Sequence, residues 1–207
     1  MAGLEQTIMS VITQSSKDFQ WIIIDGGSTD GSKELLEQYH KYFTYWCSEP
    51  DREIYNAMNK GIKHATGDYC SFLNSGDRLH DKNVIKEVME EMDGTDYVSG
   101  NVWCVNDSYE FVKFYKMPQV LSLYYMLELT LGHQRTFIRT KMLKDHPYDE
   151  SLKIFADWAE MFYEFLFNKR SYKHIDVVIS DYPVGGGLPI KTPHCLQWKG
   201  RRLEINI

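Results

Sequence analysis

The stretch "WIIIDGGSTDGSKELLEQY", residues 21–39, decides the fold. Four apolar residues run directly into Asp25, a turn of small residues follows, and an amphipathic helical pattern then begins. The pattern predicts a buried strand, a tight turn and a helix. Another apolar run, residues 69–73, leads in the same way into the polar turn "NSGD" of residues 74–77. Because ligands bind at the carboxyl ends of strands in α/β sheets, both turns are candidate binding elements.

Apolar periodicity predicts that helices and strands alternate along the chain. In the first part the predicted helices cover residues 3–13, 33–43 and 54–65, and the predicted strands cover residues 21–24, 44–47 and 69–73. Farther along, helices are predicted at residues 83–92, 119–128 and 156–167, and strands at residues 96–101, 109–115, 135–139 and 172–180. The alternation predicts an α/β fold with a mainly parallel sheet and helices on both faces. The helix at residues 54–65 is expected to turn Ile54, Met58, Ile62 and Ala65 inward.

Length and composition limit the class of protein. The 207 residues suffice for one α/β domain and are too few for two full domains. A net charge of −6 argues against broad nucleic-acid binding, which needs a basic face. The four cysteines include no CxxC pair, so we predict neither a zinc site nor a disulfide framework, as in a reducing cytosol. The cysteine usage thus predicts a cytoplasmic protein. No apolar run reaches the length of a membrane span, so we predict no transmembrane segment.

Two glycine-rich nucleotide-binding motifs do not occur in the sequence. The turn "DGGSTDG", residues 25–31, lacks the GxGxxG spacing of dinucleotide-binding folds, and no GxxxxGK[ST] sequence is present. The residues therefore argue against a dinucleotide fold and against a P-loop nucleotidase.

Three segments carry a resemblance to a known family. They are "IIIDGGSTDGS" at residues 22–32, "SEPDREIYNAMNKGIKHATGDY" at residues 48–69 and "FLNSGD" at residues 72–77. In this order they resemble the nucleotide-sugar half of family 2 glycosyltransferases of the GT-A fold, and most closely those of colanic-acid, capsule and lipopolysaccharide assembly. A weaker resemblance continues at "GHQRTFIRTKML" and "FADWAEM". It implies one Rossmann-like GT-A domain over residues 1–207, with a nucleotide-sugar half at 1–80 and an acceptor half at 81–207.

The resemblance implies a donor-binding role for the first turn. Asp25 matches the family's aspartate that binds the base or ribose of the nucleotide, and an ionised carboxylate, which only accepts hydrogen bonds, suits imide or hydroxyl donors. Gly26 and Gly27 leave room for a ligand ring to approach the backbone. The alternative for Asp25 is a helix N-cap or an Asx turn.

The resemblance also implies a divalent cation, Mg²⁺ or Mn²⁺, at Asp77. Asp77 matches the last carboxylate of the family's DXD-type motif, but Asn74 and Gly76 stand where the common "DSDD" form has carboxylates. Mg²⁺ often takes only one or two protein carboxylates beside phosphate and water, so we expect a weak site that depends on the nucleotide. The alternative is that "NSGD" is only a turn.

The segment "EPDREIYNAMNKG", residues 49–61, supplies further donor-side candidates. Asp51 is expected in a loop near the donor, and Asn59 and Lys60 on the helix that follows. Lys60 or Arg52 is a candidate partner of the diphosphate. The alternatives are solvated surface charges for the two cations and a buried structural hydrogen bond for Asn59.

Acceptor-side chemistry is implied for residues farther along the chain. Asp157 matches the aspartate that the family uses as catalytic base, with Glu160 one helical turn on as the second candidate. The alternative for Asp157 is an acid that stabilises the start of a helix. His133 and Gln134 match an "HQ" element that faces the acceptor or leaving group, and "PVGGGLP", residues 183–189, is a candidate loop over the site.

The implied reaction is inverting transfer of a sugar from a nucleotide-diphosphate donor to a hydroxyl of a glycan or lipid-linked saccharide, in bacterial surface polysaccharide biosynthesis. A lipid-linked acceptor would bring the chain to the inner face of the membrane. The family's first strand, of the "VSIITPTYN" kind, is absent before "GLEQTI", which predicts a chain truncated at its N-terminus. Two alternatives remain: a non-catalytic remnant that binds nucleotide sugar, and a metal-dependent hydrolase of nucleotide sugars.

Overall fold

The computed structural model describes residues 2–184. Within that range the helices are α1 (Ala2–Ile12), α2 (Ser32–Tyr39), α3 (Ile54–His64), α4 (Val84–Glu91), α5 (Leu123–Glu128), α6 (Thr140–Asp145) and α7 (Ala156–Phe167). The strands are β1 (Ile22–Asp25), β2 (Tyr45–Ser48), β3 (Tyr69–Cys70), β4 (Arg78–Leu79), β5 (Tyr97–Val105), β6 (Phe111–Tyr115), β7 (Thr136–Arg139) and β8 (Tyr172–Pro183). A 3₁₀ turn, His133–Arg135, leads into β7.

The first two strands form a small parallel sheet. β1 and β2 pair from Ile22 opposite Tyr45 to Asp25 opposite Ser48. The connection through α2 is the crossover that a parallel pair needs. α3 packs on this pair, with Gly61 facing the side chains of β1. Asp25 therefore ends its strand at the carboxyl edge, as the sequence predicts.

The other six strands form a mixed sheet. Five lie in the order β3-β7-β5-β8-β4, and β6 pairs with β5 off this path. Only β5 and β8 are parallel in this sheet, and the remaining pairs are antiparallel. The prediction of a mainly parallel sheet is therefore wrong for these strands. One of these pairs has a local reason, since β5 turns back into β6 through a short turn, and a tight turn joins only antiparallel strands.

Successive residues of the sheet face opposite layers of helices. Tyr97 belongs to a core cluster with residues of α3, α5, α6 and α7, whereas Val98 packs with Val88 of α4. β7 shows the same alternation, because Ile138 lies in the first cluster and Phe137 in the second. The period of two along each strand thus places helices on both faces of the sheet, and this part of the prediction is confirmed.

The predicted limits of helices and strands agree best with the structure where the apolar periodicity extends over many residues. α7 has the predicted limits, whereas the strand predicted at residues 69–73 is confined to β3 and α6 was not predicted. The inward assignment of Ile54 is wrong, because 38% of this residue is exposed while its neighbour Tyr55 is buried. Tyr55, Met58 and Ile62 have the i, i+3, i+7 spacing of one helical face.

None of the helices within residues 2–184 is long and apolar enough to cross a membrane. The glycines of the loop predicted at residues 183–189 lie outside the described residues.

Candidate active site

Asp25 lies at the carboxyl end of β1 and is 8% exposed. Its carboxylate accepts hydrogen bonds from the backbone N–H of Ser28 at 3.0 Å and from the hydroxyl of Ser48 at 2.6 Å, and also from the hydroxyl of Ser28. Burial alone would raise the pKa of Asp25, but these hydrogen bonds outweigh it and lower the pKa below its ordinary value. The carboxylate thus closes a local turn by accepting from the N–H three residues on, as the local structural alternative for Asp25 implies, and it is held ionised at the edge of the sheet.

The turn after Asp25 requires its glycines. Gly27 has φ = +83°, a conformation that side chains other than glycine rarely adopt. A Cβ at Gly26 would lie 2.7 Å from a carboxylate oxygen of Asp51, so these two residues are in close contact. The structure therefore brings Asp25, Gly27 and Asp51 together, as the resemblance implies.

Lys60 and Asn59 are neighbours on α3 with different surroundings. The Lys60 Nζ atom lies 2.8 Å from Glu49 Oε1 and donates to the Pro50 carbonyl at 3.3 Å, which places the cation beside the loop that carries Asp51. Asn59 is buried and exchanges hydrogen bonds with the backbone of Tyr148, and it also donates to Glu150. Its amide groups hold the loop after α6, which agrees with the structural alternative for Asn59 rather than with substrate binding.

Asp77 is a buried carboxyl group, 4% exposed. Burial raises its pKa to about 6, against smaller lowering effects of His133 and of the Asn74 backbone N–H. The Thr7 hydroxyl fixes the same turn by donating to the Asp77 carbonyl oxygen at 2.6 Å.

The metal predicted at Asp77 can be tested against these surroundings. Among residues 2–184 no group of three or more His, Cys, Asp or Glu side chains could hold a metal ion. The carboxylate of Asp77 and the amide oxygen of Asn74 are nevertheless hard ligands, and a buried carboxyl with a raised pKa lacks a full counter-charge. These two oxygen ligands therefore fit a divalent cation that takes its other ligands from a diphosphate.

A chain of polar contacts joins the turn before β4 to the start of α7 and to α3. Asn74 Nδ2 lies 2.8 Å from His133 Nε2, and His133 Nδ1 lies 3.5 Å from Asp157 Oδ2. The Tyr55 hydroxyl donates to Asp157 Oδ1 at 2.8 Å. Because an amide nitrogen only donates, His133 Nε2 accepts and the ring proton lies on Nδ1, facing Asp157. We refer to Asn74, His133, Asp157 and Tyr55 as the polar relay.

Asp157 and Glu160, one turn apart on α7, have opposite protonation tendencies. Burial would raise the pKa of Asp157, but His133 and Tyr55 outweigh it and lower the pKa. Burial raises the pKa of Glu160 to about 8, with Tyr97 donating to one carboxyl oxygen at 2.8 Å and the other oxygen without a partner. Both line a small cavity of about 20 Å³, enough for one water. Two neighbouring carboxyl groups with different pKa values can serve as an ionised base and a neutral acid.

His133 and Gln134 diverge although they are adjacent in the sequence. His133 lines the small cavity with Asp157, whereas Gln134 lines a much larger groove together with Asn74. The structure thus places His133 beside Asp157, and Gln134 in the groove that Asp25 and Asn74 also line.

Sequence reasoning missed residues that hold the site together. Tyr55 was not identified, although its spacing from Met58 and Ile62 marks it as inward-facing. Thr7 and Ser48 were also missed, because a hydroxyl that fixes a distant turn leaves no periodic signal. No sequence pattern that we used predicts their contacts.

The match to a protein family agrees with this geometry. A sequence model described as "Glycosyl transferase family 2" matches residues 2–166, which include β1, the turn with Asp77 and the Asp157 helix turn. The chain belongs to glycosyl transferase family 2.

Curated relatives of this family-2 chain match parts of its length. An uncharacterized glycosyltransferase of Mycobacterium tuberculosis (strain H37Rv) is 42% identical over 98 residues, which are 47% of this chain and 37% of the relative. The PGL/p-HBAD biosynthesis glycosyltransferase of the same strain is 25% identical over 201 residues, 90% of this chain and 74% of the relative. TuaG of Bacillus subtilis (strain 168), named for teichuronic acid biosynthesis, is 30% identical over 126 residues, 58% of this chain and 49% of the relative.

Solved structures confirm the GT-A fold. TarS 1-349 of S. aureus in complex with UDP has a TM-score of 0.66 at 19% identity, over 88% of this chain and 57% of that chain. The mannosyltransferase PcManGT of Pyrobaculum calidifontis, in complex with GDP-Man and Mn²⁺, has a TM-score of 0.63 at 16% identity, over 95% of this chain and 56% of that chain. The chain thus spans little more than half of these structures, and 37% of the first relative.

Proposed function

We propose that this family-2 chain transfers a sugar from a nucleotide-diphosphate donor to a hydroxyl of a saccharide acceptor, with inversion at the anomeric carbon. The observation that carries the proposal is the polar relay, since it connects Asn74 of the donor-side turn to Asp157 of the acceptor half. Relatives named for teichuronic acid and PGL biosynthesis support an acceptor that belongs to a bacterial surface glycan. A lipid-linked acceptor would bring the chain to the inner face of the membrane.

Donor binding is assigned to the turns at the carboxyl edges of β1 and β3. Asp25 keeps an ionised carboxylate whose partners are two serines, and a ribose or base can take over these hydrogen bonds. Gly27 leaves the approach open, and Asp51 borders it. When the donor binds, the Lys60 ammonium group leaves the exposed carboxylate of Glu49 and pairs with the diphosphate, because an anion of higher charge is the stronger partner.

The chemical step is assigned to Asp157. Its carboxylate takes the proton of the acceptor hydroxyl while the acceptor oxygen bonds to the anomeric carbon and the bond to the diphosphate oxygen breaks on the opposite face. His133 and Tyr55 orient this carboxylate by donating to its two oxygens. Glu160, which stays neutral near pH 7 through its raised pKa, adds no second negative charge beside the base.

A divalent cation would be held by Asp77 with the amide oxygen of Asn74. When bound, Mg²⁺ or Mn²⁺ would supply positive charge that offsets the charge of the departing diphosphate. The complex of PcManGT with GDP-Man and Mn²⁺ supports this choice of ion.

The carboxylate of Asp25 should be required for nucleotide affinity. We expect Asp25→Ala to weaken binding of the preferred nucleoside diphosphate by on the order of 1.5–3 kcal/mol, because hydrogen bonds to a charged group are lost. Calorimetry with a panel of nucleoside diphosphates measures the change, and Asp107→Ala, at an exposed position in the turn after β5, is the matched control. Affinities of the wild-type chain and Asp25→Ala that agree within error would contradict the donor assignment.

Removal of the Asp77 carboxylate should remove the part of the nucleotide affinity that depends on the metal ion and leave the metal-independent part unchanged. We expect Mn²⁺ to bind on the order of millimolar and only with the diphosphate present, because a single carboxylate makes a weak site. Asp77→Asn should abolish the gain in nucleotide affinity that Mn²⁺ provides, and in the wild type this gain should fall below pH 6, since the pKa of Asp77 is raised to about 6. Tight Mn²⁺ binding without nucleotide that Asp77→Asn leaves unchanged would contradict the assignment.

A further inference from the structure

Arg135, the last residue of the 3₁₀ turn before β7, is a partly buried cation without a carboxylate partner. In the described part of the chain no ion pair includes it. Arg78 and Arg170, which are also partly buried, pair with Asp181 at 2.7 Å and with Glu164 at 2.6 Å. Burial lowers the pKa of Arg135, yet an arginine stays charged at neutral pH. The described residues therefore leave its charge uncompensated.

Two backbone carbonyls hold one edge of the guanidinium group. Nε donates to the Leu131 carbonyl oxygen at 2.6 Å, and Nη2 donates to the Thr130 carbonyl oxygen at 3.3 Å. A guanidinium group has five N–H donors, so three remain, and two of these, on Nη1 and Nη2, point in parallel from its free edge. Nη1 has no acceptor among the described residues and is not a buried unpaired atom, so it is open to solvent. The free edge is therefore fixed in place and available to a ligand.

The surroundings of the guanidinium group are neutral. Arg135 lies near the side chains of Tyr115, Tyr125, Tyr172 and Cys104. Tyrosine and cysteine side chains carry no charge near pH 7. Because the aromatic rings replace part of the water around the cation, an ion pair formed here is stronger than one in open solvent.

A second cation, Lys113 of β6, lies near the same cysteine. Burial raises the pKa of the Cys104 thiol, and the positive charges of Arg135 and Lys113 both act to lower it. Lys113 is exposed, and its Nζ donates to the Tyr115 hydroxyl at 3.1 Å. Among the described residues no carboxylate pairs with Lys113 either. Two unpaired cations thus lie close together on a chain whose net charge is −6.

The cation adjoins the cavity that Asp157 lines. Thr130 and Leu131, whose carbonyls bind the guanidinium group, line this cavity together with Asp157. Arg135 does not belong to the described residues that line the larger groove with Asp25. The free edge of the guanidinium group is therefore next to the candidate base rather than in the groove of the candidate donor site.

We propose that Arg135, with Lys113 as a second cation, binds an anionic group of the saccharide acceptor, either a carboxylate or a phosphate. Both groups offer two oxygens to the parallel N–H donors of the free edge. The word acceptor rests on the proposed function, because that function makes Asp157 the base for the acceptor hydroxyl. Binding of an anion at Arg135 does not depend on it.

The test is calorimetric titration of the whole chain with two pairs of probes. Methyl glucuronide and methyl glucoside differ by a carboxylate, and glycerol 3-phosphate and glycerol differ by a phosphate. We expect one charged probe to bind about tenfold or more tighter than its neutral counterpart, and that probe identifies the anion. The preference should persist when the preferred nucleoside diphosphate saturates the chain. Displacement of the charged probe by the nucleotide would assign Arg135 to the donor diphosphate and overturn the proposal.

Variants separate binding from a structural role. Arg135→Gln should abolish the preference for the charged probe, whereas Arg135→Lys should keep part of it. Both variants lose the paired carbonyl contacts, so the difference between them isolates the charge. Lys113→Gln, at an exposed position that tolerates the change, should lower the preference about two- to threefold, and Lys86→Gln, exposed on α4, is its control. Urea unfolding establishes that each variant is folded.

Three results of these titrations would overturn the proposal: equal binding of charged and neutral probes, no binding of any probe, or a preference that Lys113→Gln leaves unchanged. An Arg135→Gln variant that melts earlier but keeps the preference would also overturn it, because Arg135 would then only hold the carbonyls of residues 130 and 131. The titrations need no sugar transfer. A chain that binds the charged probe at Arg135 but transfers no sugar would therefore contradict the proposed function and leave the anion site intact.

Discussion

Replacement of Asp157 by asparagine is expected to lower the rate of sugar transfer by about 10²–10⁴-fold, the usual contribution of a general base. Asparagine keeps the shape of the side chain and can still accept the hydrogen bond from Tyr55, but it cannot take a proton. Donor affinity should stay nearly unchanged, because Asp25 and the other donor contacts lie on different elements. The measurement is transfer rate and nucleotide affinity on the same variant.

The control for this prediction is Asp107→Asn, the same change at an exposed position in the turn after β5. If Asp157 only stabilises the start of α7, its replacement should cost a few tenths to about 1 kcal/mol of stability and leave transfer intact. Normal transfer with a lowered melting temperature would therefore refute the base assignment. Because the pKa of Asp157 is lowered, its carboxylate should stay ionised between pH 5 and 7, a range that lies above its ordinary pKa. Protonation of Asp157 should therefore not lower the transfer rate in this range.

Replacement of Glu160 by glutamine should change how stability depends on pH. Burial raises the pKa of Glu160 from 4.5 to about 8, so the folded chain binds this proton more tightly than the unfolded chain does. Stability from this group is complete below about pH 4.5 and is lost as pH rises towards 8. At about 1.4 kcal/mol per pKa unit, the loss is on the order of 3–5 kcal/mol. Glutamine cannot ionise and escapes this loss.

Urea unfolding of both proteins between pH 4.5 and 8.5 measures the effect. The free energy of unfolding of Glu160→Gln, relative to the wild type, should increase steadily up to about pH 8 and then level off. Asp77, whose pKa is raised to about 6, adds a similar loss at lower pH, but it is common to both proteins and cancels in the difference. Glu37→Gln, on the exposed face of α2, is the control. Parallel curves for Glu160→Gln and wild type would contradict the buried, neutral state of Glu160.

Local patterns predicted the strand that ends at Asp25, the turn with Gly27 and the limits of α7. Each depends on residues close in sequence: an apolar run, a glycine in a left-handed turn, and a helical period over several turns. The resemblance then assigned Asp25, Asp77 and Asp157 to the two halves of the site. Asp25 is the last residue of β1, Asp77 directly precedes β4, and Asp157 lies in the first turn of α7.

The contacts between distant residues could not be predicted from such patterns. His133 meets Asn74 across 59 positions and Tyr55 meets Asp157 across 102, and periodicity carries no information on either pair. For Asn59 the sequence leaves two roles open, because an asparagine in a helix gives the same pattern whether it binds a ligand or, as its contacts with Tyr148 show, a distant loop. β4 was missed because it is two residues long and leaves no alternation to detect, and the antiparallel pairing of β5 with β7 joins strands that are far apart in the sequence.

The central claim is that this chain transfers a sugar rather than only binding or hydrolysing the donor. The direct test is the release of nucleoside diphosphate from a set of nucleotide sugars, measured with and without acceptor glycans, with product glycan quantified in parallel. We expect release to depend on the acceptor and to equal the glycan formed. Release that is as fast without acceptor would indicate a hydrolase, and donor binding without release under any condition would indicate a non-catalytic remnant; either result would contradict the account.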